Sequence, residues 1–167
     1  MDINIQYRIQ DQNLLLLHRC VDCQYLLIPR LIANQSKSAL LESLYNIYPF
    51  VENGSAAQKA ACQNTWDLLR DSVLSWPLAG GRGGFIAFPI NISDAYLTML
   101  QEDDWLCRIL FLHYGVGLHL LSDRWYVGDW GRRLVGAVLD SAEDEVPLEW
   151  VDVVLWTRQA VGLDAVP

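Results

Sequence analysis

One stretch of this chain, residues 105–121, is apolar on every face that a helix could present. Its sequence is WLCRILFLHYGVGLHLL. A helix that is hydrophobic all round belongs in the interior of a protein or in a membrane. Polar residues interrupt the stretch before it reaches the run of about 18 apolar residues that indicates a membrane span. The sequence therefore predicts a buried central helix over about residues 105–121, and the rest of the chain must pack around it.

Helical spacing of apolar residues recurs along the rest of the 167-residue chain, and strand patterns are nearly absent. Proline is expected to end the first two helices, at Pro29 and Pro49, because it cannot continue a helix comfortably. Ser55, Ser93 and Asp103 or Asp104 are placed to begin later helices. The further helices are predicted over about 3–28, 36–48, 56–75, 93–101, 129–140 and 148–162. We therefore predict an all-α single domain of about seven helices.

The clearest break in the pattern is the glycine-rich run GGRGG at 80–84. It lacks the Gly-Lys-Ser/Thr ending of a phosphate-binding loop, so we predict a connector, with a lid over a pocket as the alternative. The segment from Phe85 to Ile90 is expected to be extended, at least before Pro89. Within the single domain we expect N-terminal helices over 1–78, the loop and extended segment over 79–91, and C-terminal helices over 92–163.

Charge and cysteine content narrow the classes of function. The net charge of −8 argues against direct binding of DNA or RNA, since affinity for phosphates comes mainly from Lys and Arg. Four cysteines without a signal-peptide pattern predict reduced thiols in the cytoplasm, or in the nucleus for part of a regulator. The motif Cys20-Val21-Asp22-Cys23 lies in a predicted helix without a second pair, which favours buried thiols over a metal site. The carboxylates of Glu102, Asp103 and Asp104 are explained by a helix N-terminus. No metal or nucleotide motif is visible in the sequence, so neither a metal nor a cofactor is expected.

Polar groups and glycines interrupt the predicted central helix. His113, Tyr114 and His119 need hydrogen-bond partners if they are buried. Gly115 and Gly117 cost about 1 kcal/mol each in a helix, which is tolerated where a neighbouring helix or a ligand approaches the backbone closely. A buried histidine is more often a hydrogen-bonded core residue than a catalyst, and both readings of His113 stay open.

The residues from 113 onward resemble a known family. The segments HYGV at 113–116, DRWY at 123–126 and WGR at 130–132 are similar to the C-terminal signature of the fungal-specific transcription factor domain. The sterol-uptake-control type of zinc-cluster regulators is the most similar group. The resemblance covers about 85–156 and, more weakly, 38–76. It implies an all-helical domain that holds a sterol or another hydrophobic effector in an internal pocket. DNA binding in that family belongs to a separate six-cysteine zinc cluster, which this sequence does not contain.

Three functions follow from the residues and the resemblance together. The favoured one is a stand-alone, cofactor-free enzyme of fungal secondary metabolism that binds a bulky terpenoid, polyketide or sterol-like molecule. Such an enzyme would catalyse a cyclisation, such as a Diels–Alder reaction, or an isomerisation. The second is a non-enzymatic ligand-binding regulatory domain, and the third is a helical dimerisation module. The enzyme is preferred because a sensor without an output module requires a further assumption.

The predicted site contains groups for catalysis and groups for the ligand. His113, Tyr114 and His119 are the candidate hydrogen-bond donors, acids or bases. The expected ligand-binding residues are Trp105, Ile109, Leu112, Val116, Gly117, Trp125, Tyr126 and Trp130. The expected partner is a hydrophobic small molecule, without nucleic acid or a membrane span, and a homodimer is an open alternative.

Overall fold

A computed structural model of the chain describes residues 21–75, 83–142 and 146–164, with side chains from residue 35 onward. These ranges contain seven α-helices and no strand, which confirms the predicted all-α class. The helices are α1 (Val21–Asn53), α2 (Ala56–Leu74), α3 (Gly83–Asn91), α4 (Asp94–Gln101), α5 (Trp105–His119), α6 (Trp130–Asp140) and α7 (Val151–Ala160). A 3-10 turn, Leu148–Trp150, leads directly into α7.

The chain divides into two compact units, residues 1–35 and 36–167. Of the first unit, the structure describes the helical backbone of residues 21–35. The second unit contains the remainder of α1 and the other six helices. The bounds of a single domain over 1–167 stay a prediction.

The predicted central helix is confirmed as α5, which packs against α2, α3, α4, α6 and α7. Twelve of its fifteen residues are buried. The helix ends at His119, slightly earlier than expected, while Leu121 stays buried in the turn that follows. Asp104 begins the helix, because its side chain accepts a hydrogen bond from the Cys107 N–H at 3.0 Å. The carboxylate therefore has the capping role that the sequence predicted.

The prediction that Pro29 and Pro49 end helices is wrong, because the backbone of α1 is helical through both. A proline inside a helix costs about 3 kcal/mol or more through a lost hydrogen bond and a steric clash. At Pro49 the apolar stripe of α1 continues past the proline, and Val51 is completely buried beyond it. That burial favours the helical path over an early stop. The predicted start of the first helix at residue 3 lies outside the described residues, as do the side chains of the cysteine motif.

Helix α2 begins where the sequence predicted it to begin. Ser55 Oγ accepts a hydrogen bond from the Gln58 N–H at 3.2 Å, and Gln58 Oε1 accepts one from the Ser55 N–H at 3.0 Å. This reciprocal pair is a capping box, which satisfies two backbone donors at once. The indole N–H of Trp66 in α2 donates to the Leu44 carbonyl at 2.8 Å and so joins α2 to α1.

The predicted extended segment over Phe85–Ile90 is wrong, since α3 is helical and contains Pro89. Gly83 and Gly84 of the predicted loop also belong to this helix, whereas residues 80–82 lie outside the described ranges. A helix places Phe85 and Phe88 on one face, where both become completely buried. The extended conformation would turn neighbouring side chains to opposite faces, so tertiary packing decides the outcome here.

The glycines of α5 allow that packing, and two of the chain's glycines give a matched test. A Cβ at Gly117 would lie 2.1 Å from Cε1 of Phe85, whereas nothing lies within 4 Å of a Cβ at Gly136 in α6. We expect Gly117→Ala to lower the free energy of unfolding by about 1–3 kcal/mol through overpacking. Gly136→Ala should raise it by about 0.5–1 kcal/mol, because alanine is the better helix former. Urea denaturation measures both, and stabilisation by Gly117→Ala would contradict the close approach of α3.

Candidate functional site

His113 is completely buried, and both of its ring nitrogens have partners inside the protein. Nδ1 lies 2.8 Å from the carbonyl oxygen of Ile109, and Nε2 lies 2.8 Å from Oγ of Ser43 on α1. Since a carbonyl only accepts, Nδ1 carries the proton. Burial lowers the pKa of His113 to about 4, so the imidazole is neutral at neutral pH. The Ser43 hydroxyl therefore donates to Nε2, and the ring has no free nitrogen for a ligand.

The other two predicted catalytic groups have different surroundings. Tyr114 is buried and stacks on Phe88 of α3, with ring centroids 4.3 Å apart, and burial raises the pKa of its hydroxyl. His119 is half-buried at the end of α5, where burial and then the nearby Arg132 lower its pKa. The described neighbours of the three groups belong to different helices: Ser43 of α1 for His113, Phe88 of α3 for Tyr114 and Arg132 of α6 for His119. The structure therefore does not gather the three predicted catalytic groups into one site.

The eight predicted ligand-binding residues are also separated. Trp125, Tyr126 and Trp130 lie after α5 and at the start of α6, with exposed fractions of 94%, 52% and 67%. Trp105 is half-buried and lines a cleft of about 510 Å³, whereas Val116 lines a different one of about 290 Å³. The remaining three are packed in the core: Ile109, Leu112 and Gly117. The eight residues therefore do not line one common pocket. Their individual roles in ligand binding stay predictions.

The cleft that contains Trp105 is lined where α1 ends and where α2, α5 and the 3-10 turn before α7 begin. We call it the aromatic cleft. Its apolar lining is Pro49, Phe50, Trp105, Leu106, Pro147 and Trp150. Its polar lining is Asn53, Gln58, Asp104 and Glu149. Because four helix ends meet here, short-range capping residues determine much of its shape.

Aromatic rings form the walls of the aromatic cleft. The ring centroids of Phe50 and Trp150 lie 4.5 Å apart, and Trp150 is almost completely buried. The ring of Trp105 is covered by the guanidinium of Arg108, at 5.3 Å from the ring centroid. Arg108 is itself paired with the carboxylate of Asp103. These contacts hold the rings in place, and such rigid apolar walls suit a flat or polycyclic ligand.

A chain of hydrogen bonds forms one polar edge of the cleft. Asp104 Oδ1 accepts from the Cys107 N–H, and Oδ2 accepts from Nε2 of Gln58 at 2.8 Å. Gln58 in turn belongs to the capping box of Ser55. The beginnings of α2 and α5 are thereby joined through two side chains. Each carboxylate oxygen of Asp104 keeps accepting capacity, because it carries about two lone-pair sites.

The sequence anticipated part of this cleft. Trp105 is among the predicted ligand-binding residues, and Ser55 and either Asp103 or Asp104 are predicted to begin helices. Phe50 was hidden because the second helix was expected to stop at residue 48. Trp150 lies about a hundred residues further along the chain than Phe50, and no local pattern pairs the two. Their juxtaposition depends on the packing of whole helices.

The chain has no match among known proteins, either in the family models, in the curated proteins or in the solved structures. The resemblance to the fungal-specific transcription factor domain therefore stays a prediction. Within the described ranges, no three His, Cys, Asp or Glu side chains are grouped so that they could hold a metal ion. No helix in that part of the chain combines the length and the apolarity that a membrane crossing needs.

The buried state of His113 predicts a dependence of stability on pH. Its folded pKa of about 4 lies below the ordinary value of 6.5, so the unfolded chain binds more protons between these values. The contribution of the neutral His113 to stability is therefore fully present above pH 6.5. It is lost as the pH falls toward 4, by roughly 3 kcal/mol at most. We expect His113→Gln to remove most of this loss, as measured by urea denaturation across that range.

The half-buried His119 provides the control for this measurement. Burial lowers its pKa as well, but it keeps contact with solvent. His119→Gln should therefore remove less of the acid-induced loss than His113→Gln does. If both variants keep the full pH dependence of the parent protein, the buried, neutral state of His113 is disproved.

Proposed function

We propose that this chain binds a bulky hydrophobic small molecule in the aromatic cleft. The observation that carries the proposal is the cleft itself, about 510 Å³ in volume, with aromatic walls and a fixed polar edge. Small-molecule sites are typically concave, about 300–1,000 Å³ in volume, and largely apolar with a few placed polar groups. The aromatic cleft fits each part of that description. A terpenoid or sterol-like skeleton is the class of ligand that we propose.

The shape of the walls supports a rigid, polycyclic ligand. Phe50 is partly exposed, so its ring presents apolar surface that a ligand would cover. Trp105 and Leu106, at the beginning of α5, bring further apolar surface to the same space. A rigid skeleton loses little conformational entropy when it binds. Less of the free energy gained by burying apolar area is therefore lost. The polar edge at Gln58 and Asp104 would fix the orientation of a hydroxyl or an amine on that skeleton.

The geometry favours binding over chemical transformation of the ligand. None of the predicted catalytic groups His113, Tyr114 and His119 belongs to the lining of the aromatic cleft. His113 also keeps both ring nitrogens within hydrogen bonds of the protein. We therefore propose a ligand-binding, regulatory type of function ahead of the cyclisation or isomerisation that the sequence favoured.

A variant that fills the cleft tests the proposal. Asn53 is exposed, lies at the end of α1 and lines the cleft, so an indole at this position would take the space of a ligand. We expect Asn53→Trp to weaken the binding of dehydroabietol, a neutral tricyclic diterpene alcohol, by about tenfold or more. Isothermal titration calorimetry measures the affinity, and chromatography of the same mixtures shows whether a product forms.

The neighbouring Glu52 gives the matched control. It is exposed on the same last turn of α1 but does not line the cleft. Glu52→Trp should leave the affinity within about twofold of the parent protein. Equal weakening by both variants, or no binding by the parent protein, would reject the aromatic cleft as the site. Formation of a product would restore the enzyme as the better proposal.

A further inference from the structure

The charged groups of the aromatic cleft restrict its ligand more narrowly than the apolar walls do. Two carboxylates, Asp104 and Glu149, belong to its lining, and no Lys or Arg does. Glu149 is exposed and forms no ion pair within the described part of the chain. Asp104 is half-buried and already accepts two hydrogen bonds. The formal charges of the lining are therefore negative.

The helix ends around the cleft bring partial charges that must be weighed against these carboxylates. α1 ends here, whereas α2, α5 and the segment of the 3-10 turn and α7 begin here. A helix end carries roughly half an elementary charge, positive at the N-terminus and negative at the C-terminus. The four ends together bring about one positive charge, against two negative charges from the carboxylates. About one negative charge remains for a ligand to neutralise.

The guanidinium that covers Trp105 does not cancel that charge. Arg108 lies over the ring of Trp105, but it is paired with Asp103, whose carboxylate neutralises it. The position of Arg108 also demonstrates that a face of Trp105 accepts a cation at 5.3 Å from the ring centroid. Aromatic faces attract cations because their quadrupole is negative above the ring, and the attraction grows when the cation is desolvated.

We infer that the ligand of the aromatic cleft is a hydrophobic organic cation, namely a protonated amine or a quaternary ammonium on a polycyclic skeleton. The inference rests on the proposed function, since it names the class of molecule that the same cleft would bind. The ammonium group would lie beside the carboxylates and the aromatic faces, while the skeleton covers the exposed ring of Phe50. Cation–π attraction and the net negative charge then act on the same group of the ligand.

Three compounds with one tricyclic skeleton and different charges test the inference. They are dehydroabietylamine, dehydroabietol and dehydroabietic acid, which are cationic, neutral and anionic near neutral pH. We expect the amine to bind about tenfold more tightly than the alcohol, and the acid to bind more weakly than the alcohol. Isothermal titration calorimetry at low and high salt measures the affinities. High salt should reduce the advantage of the amine, because screening weakens the charge interaction.

Glu149→Gln locates the preference in the cleft. This variant should remove most of the difference in affinity between the amine and the alcohol, because it removes a carboxylate that would attract the ammonium group. Glu52→Gln is the control, because it removes the same charge from an exposed residue that does not line the cleft. It also separates the local effect from attraction by the overall charge of −8. Asp104 is unsuitable for this test, since it caps α5.

The outcomes distinguish this inference from the proposed function. Equal affinities for the amine and the alcohol, or tightest binding of the acid, would overturn the inference that the ligand is a cation. The cleft would then stay a proposed hydrophobic site. Equal effects of Glu149→Gln and Glu52→Gln would also overturn it, because the preference would then arise from the charge of the whole protein. Failure of all three compounds to bind would overturn the proposed function together with this inference.

Discussion

The fold depends on how closely neighbouring helices approach the backbone of α5. Gly117 lies under the ring of Phe85 from α3, and Gly115 faces Val135 from α6. Each glycine costs about 1 kcal/mol of helix propensity, whereas burial of a phenylalanine side chain contributes about 1.5–3 kcal/mol. The approach is therefore favourable overall. It also explains how α5 can pack against five other helices with twelve of its fifteen residues buried.

The burial of most of α5 has a consequence for its polar groups. His113 must form its hydrogen bonds inside the protein, and it does so with Ile109 on its own helix and with Ser43, which lies 70 residues earlier. A buried, neutral imidazole with two partners holds α1 against α5. Apolar surface that a ligand can cover is found at the helix ends, where Phe50 is exposed and Trp105 is half-buried.

Features that depend on neighbours within a few residues were predictable from the sequence. Ser55, Ser93 and Asp104 begin helices because each bonds a backbone N–H three residues ahead. The prolines did not predict the helix ends. Their cost of about 3 kcal/mol is local, whereas the contacts that outweigh it come from distant segments. The stacking of Phe88 on Tyr114, just before Pro89, is one such contact. In the cleft, Trp105 was predictable from its place in the central helix, but its distant partners were not.

Asp104 serves both the aromatic cleft and the fold. Asp104 caps α5, accepts from Gln58 and lines the cleft. Loss of a capping side chain typically costs about 0.5–2 kcal/mol of stability, so a change at Asp104 alters folding and binding together. Glu149 forms no described side-chain hydrogen bond that stabilises a helix start, and its charge can be removed with the backbone arrangement intact. The charge of the cleft is therefore separable from its architecture at Glu149, and the two remain coupled at Asp104.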